Sequence, residues 1–333
     1  MKAIVYREYG SADVLNYEEI EKPVLKDDEV LIKVRAASVN PLDWRLMEGR
    51  PRFVRLFSGL GKPKKLGRPG VDVAGEIAAV GSKVNQFNPG DKVFGSGSGS
   101  FAEYACAAAS KLVKKPEDVT FEQAASLNVA GLTALQGLRD KGRIKPGSKV
   151  LINGAAGGVG TFAVQLARLF GAQVIGVCST RNVDLVRSIG ADEVIDYTQQ
   201  DFTKSDLTIK QRYDLILDCV GNHPFSKCRR VLSPEGRFVG VGAPHDLAVR
   251  DLLGGILKDL SLSVFSGQKA VMFIAKSSQA DLKLLAELIA SGKLTPVIER
   301  RYPLHDAREA VRHVEEGHTR GKVVITLDDV KET

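Results

Sequence analysis

Residues 149–160 read Lys-Val-Leu-Ile-Asn-Gly-Ala-Ala-Gly-Gly-Val-Gly: a short apolar run, a glycine-dense turn, then a helical pattern. The run Val150-Leu151-Ile152 suits a buried parallel strand. Small residues in the turn let backbone N–H groups come close to a phosphate, and the N-terminus of a helix from about Gly158 adds further N–H groups and a favourable dipole. Ala155 holds the first glycine position of the usual fingerprint, and only Gly157 and Gly160 remain. Taken alone, the run also suits an ordinary strand–turn–helix corner, so its flanks decide.

After the turn, Val159, Phe162, Ala163, Leu166, Ala167, Leu169 and Phe170 recur at helical spacing, and Gly171 closes the helix. A second buried-strand pattern, Gln173–Cys178, completes a βαβ unit of roughly 30 residues. An NAD site of this kind places an acid roughly 20 residues past the glycines to bind the ribose 2′-hydroxyl. Here the strand ends Cys178-Ser179-Thr180-Arg181, with no carboxylate. A hydroxyl and a guanidinium at Ser179 and Arg181 would bind a 2′-phosphate, so NADP(H) is expected over NAD(H). The competing reading makes Ser179 a helix cap and Arg181 a solvated side chain; the two are compatible.

At 333 residues the chain has room for two domains with buried cores, and a hydrophobic share of 44% with 26% charged is that of a globular protein. Met1–Tyr6 enters a strand directly, so no signal peptide is expected, and no apolar run approaches the roughly 18 residues of a membrane span. Four cysteines (Cys106, Cys178, Cys219, Cys228) without CxxC spacing read as free thiols in the cytoplasm or another reducing compartment. The net charge of +7 is local: residues 45–68 carry eight cations (Arg45, Arg50, Arg52, Arg55, Lys62, Lys64, Lys65, Arg68) against Glu48 alone.

Residues 1–122 read as β-rich, with strands expected over 29–34, 71–80 and 92–94. From 123 to about 265 strand and helix alternate, with strands expected at 149–153, 173–178, 193–196, 213–219, 236–241 and 261–265. This alternation implies a doubly wound parallel sheet. The tail offers helices over 281–290 and 307–316 and a closing strand over 321–327. The expected organisation is therefore α/β: a Rossmann domain at 123–267 inserted in a split, β-rich domain formed by 1–122 and 268–333. The nicotinamide is expected in a cleft between the two.

On the segments Met1-Lys2-Ala3-Ile4, Ala37–Trp44, Pro69–Glu76, Gly90–Val93, Val129–Ala134, the Ala-Ala-Gly-Gly-Val-Gly turn, Gly190–Tyr197 and Gly321–Val324, the chain resembles the medium-chain dehydrogenase/reductase superfamily. Within it, the chain is similar to the zinc-free quinone oxidoreductase-like branch, and especially to plant chloroplast-envelope-type homologues. The resemblance implies a GroES-like catalytic domain around the Rossmann domain and NADPH as cofactor. It places Thr133 by the nicotinamide amide, Gly157, Gly158 and Val159 under the pyrophosphate, Ser179 and Arg181 at the 2′-phosphate, and Tyr197 near the adenosine. Val220, Val241 and the Phe265-Ser266-Gly267 step would line the cofactor channel, although core packing explains Val220 and Val241 equally well. Lys322 is expected near the phosphate-bearing end. The family often forms a homodimer through the last Rossmann strand, a role open to Ser261–Phe265; an apolar edge strand covered by its own chain is the alternative.

Zinc-dependent relatives hold their metal through a Cys near position 40 and a His-Glu pair near 71. This chain has Asn40 and Val71-Asp72 there, and its five histidines lie elsewhere, so no metal is expected. Without a metal, an alkoxide is poorly held. Hydride addition to a quinone or an α,β-unsaturated carbonyl spreads charge into a conjugated anion that modest donors can hold. The expected activity is thus NADPH-dependent reduction of quinones or enones. Asn40 is a candidate donor to the substrate carbonyl and Asp43 a candidate orienting group; the alternatives are a turn at Asn40-Pro41 and a helix cap at Asp43.

Phe53, Leu56, Phe57 and Leu60 form an apolar stripe at helical spacing. The expected role is a lid with its basic residues, Arg52 and Arg55 among them, in solvent; the sharper alternative is peripheral docking on an anionic membrane. Two rival functions stand beside the leading one. The first is a strict one-electron NADPH:quinone reductase. The second is a non-enzymatic nucleic-acid-binding protein using residues 45–68.

Overall fold

The computed structural model describes residues 1–50, 55–63, 66–204, 212–242 and 267–327, with backbone only for residues 57 and 58. The chain divides into two units, Met1–Leu132 with Ser277–Thr333, and Thr133–Lys276. Both junctions fall later than the expected 122/123 and 267/268. Residues 121–131 pack on the first unit's strands, and residues 269–272 pair within the second unit's sheet.

The first unit opens with β1 (Lys2–Val5) and β2 (Asn16–Glu19), an antiparallel pair. β3 (Glu29–Val39) alternates half-buried or exposed positions with buried ones before ending fully buried. Then come α1 (Pro41–Met47), α2 (Arg55–Ser58), β4 (Asp72–Val80), β5 (Lys92–Ser96), β6 (Tyr104–Ala108), β7 (Leu112–Lys114) and α3 (Phe121–Ala125). A π-helical stretch, Leu127–Gly131, leads into α4 (Leu132–Gln136).

The second unit follows with β8 (Lys149–Asn153), α5 (Gly158–Leu169), β9 (Gln173–Cys178), α6 (Val183–Ser188) and β10 (Glu193–Asp196). It continues through β11 (Tyr213–Asp218), α7 (Phe225–Cys228), β12 (Leu232–Gly240) and β13 (Lys269–Met272). The chain then returns to the first unit as α8 (Gln279–Ala290), β14 (Ile298–Pro303), α9 (Ala307–Glu315) and β15 (Lys322–Thr326).

The second unit's sheet is parallel throughout, in the order β10-β9-β8-β11-β12-β13. This is the Rossmann order, and its direction reverses between β8 and β11, the switch point at which such sheets bind ligands. Near-continuous apolar strands bury Leu151, Ile175, Val177 and Ile216 against Phe225 and Phe238, as a sheet covered on both faces requires. The expected strand at 261–265, with the dimer contact assigned to it, lies outside the described residues, as do Phe265 and Ser266.

The first unit's main sheet runs β14-β15-β3-β4-β5-β7, with β6 also on β3. Its registers position the site. Ser38 pairs with Asp72 across β3 and β4, while Val323 and Val324 pair with Val39 and Ser38 across β15 and β3. Three distant stretches of chain thus converge at one end of the sheet. Beneath them Val39, Trp44, Met47, Phe101, Val311 and Ile325 form a buried cluster.

Candidate active site

In the second unit the glycine turn has the shape its residues require. Gly154, one residue before the position the fingerprint assigns to Ala155, has φ +81°, where a side chain is strained. Its N–H and that of Ala155 donate to the Val177 carbonyl at 3.1 and 3.0 Å, tying the turn to β9. A Cβ on Gly160 would stand 2.1 Å from the Gly154 carbonyl oxygen, so helix and turn meet only through glycine. Gly157 is the N-cap of α5, followed by Gly158 and Val159 as its first residues. A Cβ at Gly157 would meet only the Gly154 oxygen, at 3.5 Å, leaving open space above the amides. This cradle fits a pyrophosphate.

Beside it, a buried polar group occupies the carboxyl ends of β8 and β11. The Asn153 amide donates to Asp218 Oδ1 and Asn222 Oδ1, both at 2.9 Å. The N–H groups of Val220 and Gly221 donate to the same Asp218 oxygen at 3.0 and 2.9 Å. The Asp218 carbonyl accepts from the N–H groups of Val241 and Gly242. One aspartate therefore shapes both loops that carry Val220 and Val241. The sequence reading missed Asn153 and Asp218, although polar residues ending two apolar strands at a switch point are a legible signal.

The end of β9 is a second focus. Ser179 starts a 3₁₀ turn, Thr180–Asn182, and its Oγ accepts from Asn182 Nδ2 at 3.2 Å, leaving its own hydrogen to donate outward. Arg181 lies on that turn. Tyr197 follows β10, 54% exposed and with its N–H bonded to the Cys178 carbonyl at 3.0 Å. Thr133 lies on α4, and Gly267, with φ +68°, precedes β13.

In the first unit the structure brings Asn40, Asp43 and Lys322 together, and adds Asp72. Asp72, fully buried, accepts at Oδ1 from Asn128 Nδ2 and the Val129 N–H, both at 3.0 Å. At Oδ2 it accepts from Ser38 Oγ at 2.5 Å and Asn40 Nδ2 at 2.8 Å. Asn128 and Val129 sit on the π-helical stretch, a distortion frequent at functional sites. Lys322 Nζ donates to Asn40 Oδ1 at 2.6 Å and lies 3.7 Å from Asp72 Oδ2. Burial pulls the Lys322 ammonium below its usual range, against the carboxylates that support it.

Two expectations change here. Asn40 was expected to donate to a substrate carbonyl, but its Nδ2 is committed to Asp72 and to the Ser38 carbonyl, and its side-chain oxygen to Lys322. Lys322 was expected near a phosphate. Instead it is 3% exposed and spent on this group, because a buried ammonium needs anionic and carbonyl partners at hand. Asp43 takes the capping-box place at the start of α1: Oδ2 accepts from the Asn40 N–H at 2.8 Å. The carboxyl is buried, and burial pushes it up to about 7 against the Asn40 and Gly70 N–H groups that oppose the shift.

The basic segment also departs from expectation. The described helix is the single turn α2, and Leu56 and Leu60 are 62% and 74% exposed rather than covered. Phe53 lies outside the described residues. Arg55, expected in solvent, donates to the carbonyls of Glu48 at 2.7 Å and Gly49 at 3.2 Å, and its guanidinium lies 4.6 Å from the Tyr9 ring centre. Among the described residues no three His, Cys, Asp or Glu side chains are grouped to hold a metal, and no helix is long and apolar enough to cross a membrane.

Comparison with known proteins shows the family. Residues 26–117 match the alcohol dehydrogenase GroES-like domain, and residues 189–325 match the zinc-binding dehydrogenase family. The chain is 35% identical to a chloroplast envelope quinone oxidoreductase homologue of Arabidopsis thaliana, over 98% of both chains. It is 34% identical to the NADPH-dependent alkenal/one oxidoreductase of the same plant, over 98% of this chain and 79% of that one. A quinone oxidoreductase structure from Coxiella burnetii superposes with a TM-score of 0.86 at 34% identity, covering 98% of this chain and 99% of that chain. With its pyrophosphate cradle, GroES-like unit and full-length relatives, the chain belongs to the quinone oxidoreductase-like branch of the medium-chain dehydrogenase/reductase superfamily.

Proposed function

We propose that this protein reduces quinones or α,β-unsaturated carbonyl compounds with NADPH and without a metal ion. The observation that carries the reading is the cradle at 154–160, followed by a β9 end that offers Ser179 and Arg181 where an NAD site offers an acid. The relatives named for quinone and for alkenal/one reduction support the same chemistry. When bound, NADPH would supply a hydride to the conjugated carbon of the acceptor. Gly157, Gly158 and Val159 would hold the pyrophosphate, Ser179 and Arg181 the 2′-phosphate, and Tyr197 the adenosine. Thr133 would meet the nicotinamide amide, with Val220, Val241 and the 265–267 step along the channel.

The metal-free reading rests on donor chemistry. At the positions where zinc-dependent relatives place Cys, His and Glu stand an amide and a carboxylate already bound to an ammonium, together with Val71. Zinc selects thiolate, imidazole or free carboxylate in a tetrahedral set, and this group offers none of these unspent. The acceptor must therefore spread its own negative charge, which favours conjugated carbonyls over simple ketones. Asn40 and Asp43 act in this reading by fixing the entrance of α1, and solvent supplies the proton.

A homodimer through the edge of the Rossmann sheet fits the exposure of Met272 (46%) on the outermost described strand and of Ile274 (90%) just beyond it. The rival use of the basic segment for nucleic acid is not favoured, since Arg55 is held by its own chain. A screen following NADPH absorbance with quinones, enones and saturated aldehydes tests the activity. Turnover of conjugated acceptors alone, unchanged by chelator, is expected; turnover confined to saturated carbonyls or abolished by chelator would overturn it.

A further inference from the structure

The acid that an NAD site places at the end of its second strand is missing from β9, yet the fold delivers one from the next strand. β9 and β10 are parallel neighbours, and Asp196, the last residue of β10, pairs with Cys178, the last residue of β9. Adjacent strands lie about 4.8 Å apart, so side chains at their carboxyl ends share one rim. Thr180 stands between Ser179 and Arg181, and its hydroxyl donates to Asp196 Oδ2 at 2.5 Å. The carboxylate is therefore one side chain away from the two groups assigned to the 2′-phosphate.

Asp196 is also fixed. Oδ2 accepts from Gln199 Nε2 at 3.1 Å, and Oδ1 accepts from the N–H and Oγ1 of Thr198 at 3.0 and 2.8 Å. These bonds, led by that of Thr180, hold the carboxyl below its usual range and favour its charged form. The bond from Thr180 has a second consequence. Having donated its proton to Asp196, the Thr180 oxygen can act only as an acceptor; one lone pair meets the Thr198 hydroxyl at 3.0 Å and the other is left for a ligand. An acceptor suits a ribose 2′-hydroxyl and opposes a 2′-phosphate, whereas Ser179, whose Oγ accepts from Asn182, still donates.

We propose that Asp196, acting directly by charge and through Thr180, is a specificity-determining residue that narrows the preference for NADPH over NADH, so that the site accepts both nucleotides. The inference rests on the NADPH reading given above. Ser179 and Arg181 favour the phosphate. Asp196 repels it, and the Thr180–Asp196 pair receives the 2′-hydroxyl of NADH in its place.

The test compares kcat/KM for NADPH and NADH in the full chain carrying Asp196→Asn, with 2′,5′-ADP and 5′-AMP as competitive inhibitors. Asn keeps an oxygen for the Thr198 N–H and removes the charge. The NADPH preference is expected to rise about three- to ten-fold, as removal of one partly screened like charge implies, with 2′,5′-ADP tightening relative to 5′-AMP and the gain shrinking at high salt. Thr180→Val is expected to lower kcat/KM for NADH more than for NADPH. A preference that moves less than two-fold in Asp196→Asn while the wild type favours NADPH overturns the inference and leaves the NADPH reading standing. Equal losses with both nucleotides, accompanied by a lower Tm, likewise overturn it, making Asp196 a brace of the turn. A wild type that binds neither inhibitor overturns the NADPH reading itself.

Discussion

The Lys322 ammonium lies 2.6 Å from the side-chain oxygen of Asn40, and both are at least 97% buried. This contact fixes which end of the Asn40 amide faces which neighbour: oxygen to Lys322, nitrogen to Asp72. Breaking a buried ion group by removing one partner strands the other. Lys322→Met is therefore expected to destabilise the protein by about 3–5 kcal/mol. The Lys322→Met/Asp72→Asn double variant should recover part of that loss, because it removes both charges. Urea unfolding of the single and double variants checks this; equal losses in the two would contradict the coupling.

Asp43 gives a pH prediction. Its carboxyl is raised from 3.8 to about 7 by burial. The folded state thus holds a proton that the unfolded chain releases near pH 4. The resulting stabilisation is complete below about pH 4 and is lost as the pH rises through about 7, with a ceiling of about 4 kcal/mol. Asp43→Asn, which cannot ionise, should flatten the fall in stability between these limits. Denaturant midpoints measured from pH 4 to 8 provide the check, and parallel profiles for the two proteins would refute it.

The cradle makes a steric prediction. Gly160→Ala would set a Cβ 2.1 Å from the Gly154 carbonyl, so helix and turn must separate. Nucleotide affinity is expected to fall at least about ten-fold, with a stability loss of about 1–3 kcal/mol. Gly154→Ala, at φ +81°, should cost about 1–2 kcal/mol from backbone strain. Calorimetric titration with NADPH and thermal melts measure both. Wild-type affinity in Gly160→Ala would show that the turn does not hold the pyrophosphate.

Ser179 and Arg181 predict a split between cofactors. Arg181→Gln should raise KM for NADPH by about ten- to a hundred-fold, since a charge-assisted hydrogen bond to phosphate contributes about 1.5–3 kcal/mol. KM for NADH should change far less. Equal rises for both nucleotides would remove Arg181 from the 2′-phosphate site.

The second unit was the more legible part of the chain. Its strands are apolar runs broken by glycine, and β8, α5, β9 and β10 fall where periodicity puts them, because a doubly covered sheet buries nearly all of β8 and β9 while the edge strand β10 keeps a short apolar centre. β12 starts at Leu232 rather than 236, since Ser233–Gly236 interrupts the apolar run while the ladder continues past it. β13 was missed despite the run Ala270–Ile274. The first-unit site was only partly readable. Asn40 and Asp43 stand out as a cap, but Asp72 and Lys322 become partners only through the β15–β3–β4 registers, which join residues 282 apart in the chain. Short-range pattern carries no signal for such pairings, nor for Asp196 reaching back to Thr180.

Isotope transfer tests the central claim most directly. With NADPH carrying deuterium at the hydride-donating position of the nicotinamide ring and an α,β-unsaturated ketone as acceptor, in ordinary water and excess chelator, the product should carry deuterium at the β-carbon and a solvent proton at the α-carbon. Deuterium absent from the β-carbon, radical products, or a reaction stopped by chelator would contradict metal-free hydride transfer to a conjugated acceptor.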